Sequence, residues 1–105
     1  MSNDTTPEPI TVRTSPAEGD VIVWTKPSCQ QCRMVKFRLE VANVPYVEAD
    51  ITAPEHAADL EHFRALGYLS APITEYRDIA VPGFMPSEID RIIDATRIDA
   101  SQEQG

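Results

Sequence analysis

Apolar and polar positions follow two periods along this chain, and the switches between them predict its elements. Asp20 to Thr25 (DVIVWT) is a short β-branched and aromatic run, the pattern of a buried strand. From Cys29 to Asn43 neither Gly nor Pro interrupts, and Cys32, Val35, Leu39 and Ala42 recur at helical spacing. Ser28, just behind Pro27, is placed to cap that helix. A second apolar stripe on the same helix, Met34, Phe37 and Val41, is expected to pack against the last helix, with exposure toward a partner as the alternative. Pro45 to Asp50 (PYVEAD) reads as a second strand. Thr52-Ala53-Pro54-Glu55 opens a second helix, with Leu60, Phe63 and Leu66 as its buried face and Gly67 beyond its end. PITEY (72–76) and DIAV (78–81) predict two short strands joined by a tight turn near Arg77-Asp78. Pro86 to Arg97 is a last helix with Ile89, Ile92 and Ile93 inward, starting at Pro86 or Ser87.

The predicted order is β-α-β-α-β-β-α. One helix between the first two strands implies a parallel crossover, and the close strand pair implies an antiparallel hairpin on the same sheet. The class is therefore α/β, a mixed four-stranded sheet flanked by three helices on both its faces. Residues 1–18, rich in Ser, Thr, Pro, Asp and Glu, read as a mobile tail, and residues 98–105 as a second one. That leaves one domain over 19–97, which suits a chain of 105 residues.

Charge narrows the partners. Seventeen acidic residues against nine basic ones give a formal charge of −8, which argues against non-specific binding to nucleic acid or to an anionic membrane. No apolar run approaches the roughly 20 residues that cross a bilayer. The N-terminus lacks a basic start followed by an apolar stretch, so a cytoplasmic location is expected.

The two cysteines, Cys29 and Cys32, stand three residues apart where the first strand meets the first helix. A helix N-terminus offers unpaired N–H groups and the positive end of the dipole, which favour a thiolate. Lys26 adds positive charge nearby, and no carboxylate lies between Val21 and Leu39 to oppose it. Cys32 sits one turn deeper on the same side, within bonding reach. Cys29 is thus the expected nucleophile and Cys32 the resolving thiol. A zinc site would need His56 and His62, six residues apart on one helix, which is about 240° of rotation at roughly 100° per residue. They would point to different sides, so no metal is expected. Two inert core thiols are the remaining alternative, with no reason to cluster at a helix start.

WTKPSCQQC resembles the opening of glutaredoxin-like proteins of the thioredoxin superfamily. LGYLSAPI (66–73) and GFMPSEI (83–89) are similar, more narrowly, to segments of NrdH-type redoxins, small electron donors to class Ib ribonucleotide reductase. The similarity runs from about Asp20 to Arg97 and leaves out both tails. It implies a thioredoxin fold (βαβαββα), with a cis-proline at Pro72 whose neighbour Ala71 pairs with an extended substrate backbone. It further implies thioredoxin reductase and ribonucleotide reductase as partners, a monomer, and no bound cofactor beyond the dithiol itself. Gln31 agrees with the NrdH-type pattern between the cysteines. Gln30 departs from it, replacing a small apolar residue at the rim.

Gly83, Phe84 and Met85, with the two glutamines, form the expected partner surface. Val81-Pro82 stand where the family commonly has Trp-Ser, and Trp24 stands where it usually has Tyr. Glutathione-using glutaredoxins carry Gly-Gly-x-Asp after the hairpin, whose helix-start groups hold a carboxylate of glutathione. Here Pro86 removes an N–H where that anion would be gripped. A glutathione-dependent glutaredoxin is therefore the rival enzyme, and a non-catalytic thioredoxin-fold binding module the rival of another class.

Overall fold

The computed structural model describes residues 20–104, so the N-terminal tail expected over 1–18 lies outside the described residues. Strand β1 (Val21–Thr25) is buried along its whole length, as its apolar run requires. Helix α1 (Gln30–Val41) buries Cys32, Val35 and Leu39. Its end is made by Asn43 in the left-handed region (φ 59°), after which Val44 N donates to the Leu39 carbonyl at 2.9 Å. Asn accepts that conformation more readily than most residues. Strand β2 (Tyr46–Asp50) follows, then one 3₁₀ turn (Pro54–His56) and helix α2 (Ala57–Ala65). Strands β3 (Ile73–Tyr76) and β4 (Ile79–Pro82) turn at Arg77, also left-handed (φ 54°), and helix α3 (Pro86–Gln104) closes the fold.

The sheet order is β2-β1-β3-β4. β1 is parallel to β2, while the β1–β3 and β3–β4 pairs are antiparallel. Because side chains alternate across a strand, the register sorts the sheet into two faces. Val21 lies opposite Tyr46 and Tyr76, and Val23 opposite Thr74. These face α1 and α3, where Val35, Leu39, Ile89, Ile92 and Ile93 complete a core. Ile22 lies opposite Glu75, and Trp24 opposite Ala49 and Ile73. Ile22, Trp24 and Ile73 pack instead with Phe63 of α2 and with both cysteines.

Three expectations about helix faces and helix length need correction. Leu66 is 52% exposed, because α2 ends at Ala65 and the chain turns away toward Gly67; Asp59 and Phe63 are what α2 buries. The stripe Met34, Phe37 and Val41 is not buried against the last helix but stays exposed. The two helices meet through Val35 and Leu39 instead, and a two-pronged Arg38–Asp90 ion pair (2.7 and 3.0 Å) spans them, holding the Asp90 carboxyl below its ordinary range. Finally, α3 runs past Arg97 to Gln104 rather than yielding to a tail at residue 98. Asp99 anchors that extension: it accepts from the Tyr76 hydroxyl and from Arg77 Nε, and both interactions hold its carboxyl low.

Candidate active site

The end of β1 leads through an exposed turn, Lys26-Pro27-Ser28, into the first residue of chemical interest. Ser28 takes a left-handed backbone (φ 56°), so it turns the chain rather than capping the helix. Cys29 is the cap. Its backbone is extended (φ −112°, ψ 108°), and its Sγ accepts the Cys32 backbone N–H at 3.1 Å. The sulfur therefore occupies the place where a Ser or Asp oxygen ordinarily satisfies an orphan helix donor.

Cys29 and Cys32 are joined as a disulfide, with Cα atoms 5.3 Å apart, within the ordinary range for such a bridge. Cys29 is 9% exposed and Cys32 2%, so Cys29 is the more accessible residue of the pair. When the bond is reduced, the same N–H and the dipole of a twelve-residue helix act on a Cys29 thiolate. Lys26 is exposed on the turn and makes no hydrogen bond or ion pair among the described residues.

The loops opposite come from the other half of the sheet. The Ala71–Pro72 peptide bond is cis, and both residues are buried. Gly83 N donates to the Pro72 carbonyl at 2.7 Å, tying the loop after β4 to the cis-proline. Gly83 is left-handed (φ 73°), which is what that turn demands of it. A methyl group placed on it would meet Gln31 Oε1 at 3.9 Å, ordinary contact distance, so Gln31 and the Gly83 loop are neighbours. Gln30 and Gln31 are both exposed. Phe84 and Met85 divide: Phe84 packs against the core beneath α3, whereas Met85 stays 45% exposed and its carbonyl accepts from Glu88 N and Ile89 N.

Sequence reasoning missed several neighbours. Leu69, two residues before Ala71, is 80% exposed on the cis-proline loop. Behind the disulfide, Trp24 Nε1 donates to Glu75 Oε1 at 3.1 Å, and the His56 ring meets the Trp24 ring edge-on at 5.0 Å. His56 Nδ1 in turn lies 3.3 Å from Asp59 Oδ2. The spacing of three between His56 and Asp59, across the start of the second predicted helix, was the available signal. No group of three or more His, Cys, Asp or Glu side chains among the described residues could hold a metal ion. No helix there is long and apolar enough to cross a membrane.

Comparison with known proteins agrees with this geometry. A glutaredoxin family model matches residues 21–73. The glutaredoxin-like protein NrdH of Lactococcus lactis, from subspecies cremoris and lactis alike, is 33% identical over 72 residues, which is 69% of this chain and 97% of that protein. Among solved structures, the chain is similar to the glutaredoxin-like protein NrdH-redoxin from Escherichia coli (TM-score 0.60, 27% identity, 69% of this chain and 92% of that one). That structure was described as the basis of a thioredoxin-like activity profile. A thioredoxin-like protein superposes similarly, with TM-score 0.61 and 25% identity over 71% of this chain and 95% of that one.

Proposed function

The chain belongs to the glutaredoxin family, as a glutaredoxin-like redoxin of the NrdH type, and from that premise we propose that it carries electrons from a thioredoxin reductase to a protein disulfide, that of class Ib ribonucleotide reductase. The observation that carries the reading is the Cys29 sulfur at the N-cap of α1, 3.1 Å from a backbone donor, with its partner sulfur one turn deeper.

The reduced protein begins with a Cys29 thiolate. It attacks one sulfur of the substrate disulfide; that S–S bond breaks, and the departing sulfur leaves as a thiolate and takes up a proton. The resulting mixed disulfide joins Cys29 to the substrate. Cys32, losing its proton, then attacks Cys29 Sγ, and the second substrate sulfur leaves as a thiol. Two electrons have passed to the substrate, and the Cys29–Cys32 disulfide remains for the reductase to reduce.

Ala71, ahead of the cis bond, offers its backbone to an extended substrate segment, and Gln30, Gln31, Gly83 and Met85 contribute to the surface that the partner meets. Lys26 contributes positive charge on the turn. No bound cofactor is required, because the dithiol is the redox centre. Reduction by glutathione is disfavoured at α3, whose first residue, Pro86, has no N–H to offer a carboxylate. The thioredoxin-like profile of the E. coli neighbour supports a flavoprotein reductase as the electron source. A cytoplasmic setting, where such a pair stays reducible, suits the reading.

The test is NADPH consumption with a disulfide substrate, coupled through thioredoxin reductase in one assay and through glutathione and its reductase in the other. Turnover is expected in the first. Turnover confined to the second would overturn the assignment. Cys32→Ser should halt the reaction at the mixed disulfide, seen as a mass increase that a reductant removes.

A further inference from the structure

Beside the disulfide, α1 and α3 leave between them an open groove of about 800 Å³. One wall is the stripe Met34, Phe37 and Val41, which are 41%, 66% and 66% exposed. Phe84 and Ile93 line it as well. Contiguous apolar surface rimmed by polar groups marks an interaction site. The groove begins at Gln30, the residue after Cys29, and follows α1 to Val41. At 1.5 Å per residue that is a run of about 17 Å, the length of roughly five extended residues. Whatever protein brings a sulfur to Cys29 therefore has polypeptide within reach of it.

The charge on the rim runs against that of the chain. The whole protein has 9 basic residues against 17 acidic ones. The groove has Arg33, Arg38 and Arg97 against Asp90 and Asp94. Arg38 is neutralised by Asp90. Arg97 donates to the Ala42 carbonyl at 3.2 Å, a contact that leaves its charge in place. Arg33, exposed one residue past Cys32, makes no ion pair among the described residues. The groove thus presents apolar side chains along α1, with Arg33, unpaired among the described residues, at the redox end. At the far end Arg97 shares the lining with Asp94, so three basic groups against two acidic ones leave the lining net positive where the chain is net negative.

We propose that this groove seats the segment flanking the reactive cysteine of the partner protein, and that this segment is apolar with acidic residues. The proposal rests on Cys29 being the nucleophile toward a protein disulfide, and it adds what selects the protein. A second copy of this chain is a poor occupant, since two molecules of charge −8 repel.

The test uses the reduced full-length protein and three substrates: a small uncharged disulfide, a disulfide peptide with acidic and leucine-rich flanks on both sides, and the same peptide with its acidic residues changed to lysine. Rates for each peptide are divided by the same protein's rate on the small disulfide. The acidic peptide should be reduced about tenfold faster than its lysine counterpart, with the preference shrinking at high salt. Phe37→Asp and Val41→Asp, both at exposed positions, should each erase most of that preference, and Arg33→Glu should reverse it. Equal peptide rates, or a preference that survives both aspartate variants, overturn the groove assignment while leaving the function standing. Failure to reduce the small disulfide strikes at the function itself. A dimer in sedimentation that Phe37→Asp dissolves would give the groove to a second copy and overturn the proposal.

Discussion

The two faces of the sheet divide the work of the molecule between them. The face under α1 and α3 is hydrocarbon: Val21, Val23, Val35, Leu39, Ile89 and Ile92 are at most 1% exposed. The face under α2, a single helix of nine residues, buries carboxylates as well. Asp59 is wholly buried beside His56, and Glu75, 8% exposed, accepts from the Trp24 indole. Both cysteines pack into this second cluster, although α1 itself lies on the first face. Helix α1 therefore takes its anchorage from one face and presents its first turn to the other. A site that must change covalent state at every turnover sits where packing is mixed, held by an element secured elsewhere.

The largest expected effect tests the anchoring face. Ile92 is wholly buried at the centre of α3. Ile92→Ala should cost about 2–5 kcal/mol, because the lost transfer energy adds to a cavity that the surrounding core fills incompletely. Chemical denaturation reads that loss. The Cys29–Cys32 redox equilibrium of the folded fraction, titrated against a thiol buffer, should not move.

Trp24→Phe is the counterpart on the other face and should do the reverse. It removes one donor from a buried Glu75 carboxylate, at a cost of about 1–3 kcal/mol. Because Trp24 shares its cluster with both sulfurs, the redox equilibrium should shift measurably. If Ile92→Ala moved that equilibrium more than Trp24→Phe does, the division between the faces would be wrong.

Much of this arrangement was legible in the sequence, and what was not has physical causes. Strand β1, the stripe Cys32-Val35-Leu39 and the triplet Ile89-Ile92-Ile93 follow from period alone, because each buries one continuous face. The cap of α1 was misread because Ser28 is the better capping residue, yet the turn out of β1 needs a left-handed residue there and passes the role to Cys29. The fate of Met34, Phe37 and Val41 depends on how α3 lies across α1, which periodicity does not report. The length of α3 was hidden for a similar reason: Asp99 looks like a tail residue until Tyr76 and Arg77 are brought to it by the hairpin. The Ala71–Pro72 cis bond followed from the resemblance and not from any spacing.

A third prediction concerns the rim of the hydrocarbon face. Tyr46 packs its ring against that core and donates its hydroxyl outward to Glu40. Burial of the ring, reinforced by that hydrogen bond, pushes its pKa up to about 12. A folded pKa above the unfolded value of roughly 10 means that the native state holds its proton longer. The contribution is thus complete below about pH 10 and is lost as pH rises toward 12. Denaturation midpoints should fall over that interval, and Tyr46→Phe should flatten the fall. An unchanged slope in the variant would remove Tyr46 from the explanation.

The smallest effect is also the sharpest check on calling that face hydrocarbon, because one residue breaks the description. Thr74 lies between Val23 and Val81 in the sheet, wholly buried, and among the described residues its Oγ1 has no hydrogen-bond partner. Such a hydroxyl loses its hydration on folding and gains nothing in return, whereas valine has nearly the same shape without the polar atom. Thr74→Val should therefore stabilise the protein by about 1 kcal/mol, raising the denaturation midpoint at unchanged slope. The cross-strand neighbours are already β-branched valines, so the added methyl group meets surfaces it suits. Destabilisation instead would mean that the Thr74 hydroxyl has a partner such as a buried water, and that both faces of the sheet depend on buried polar contacts.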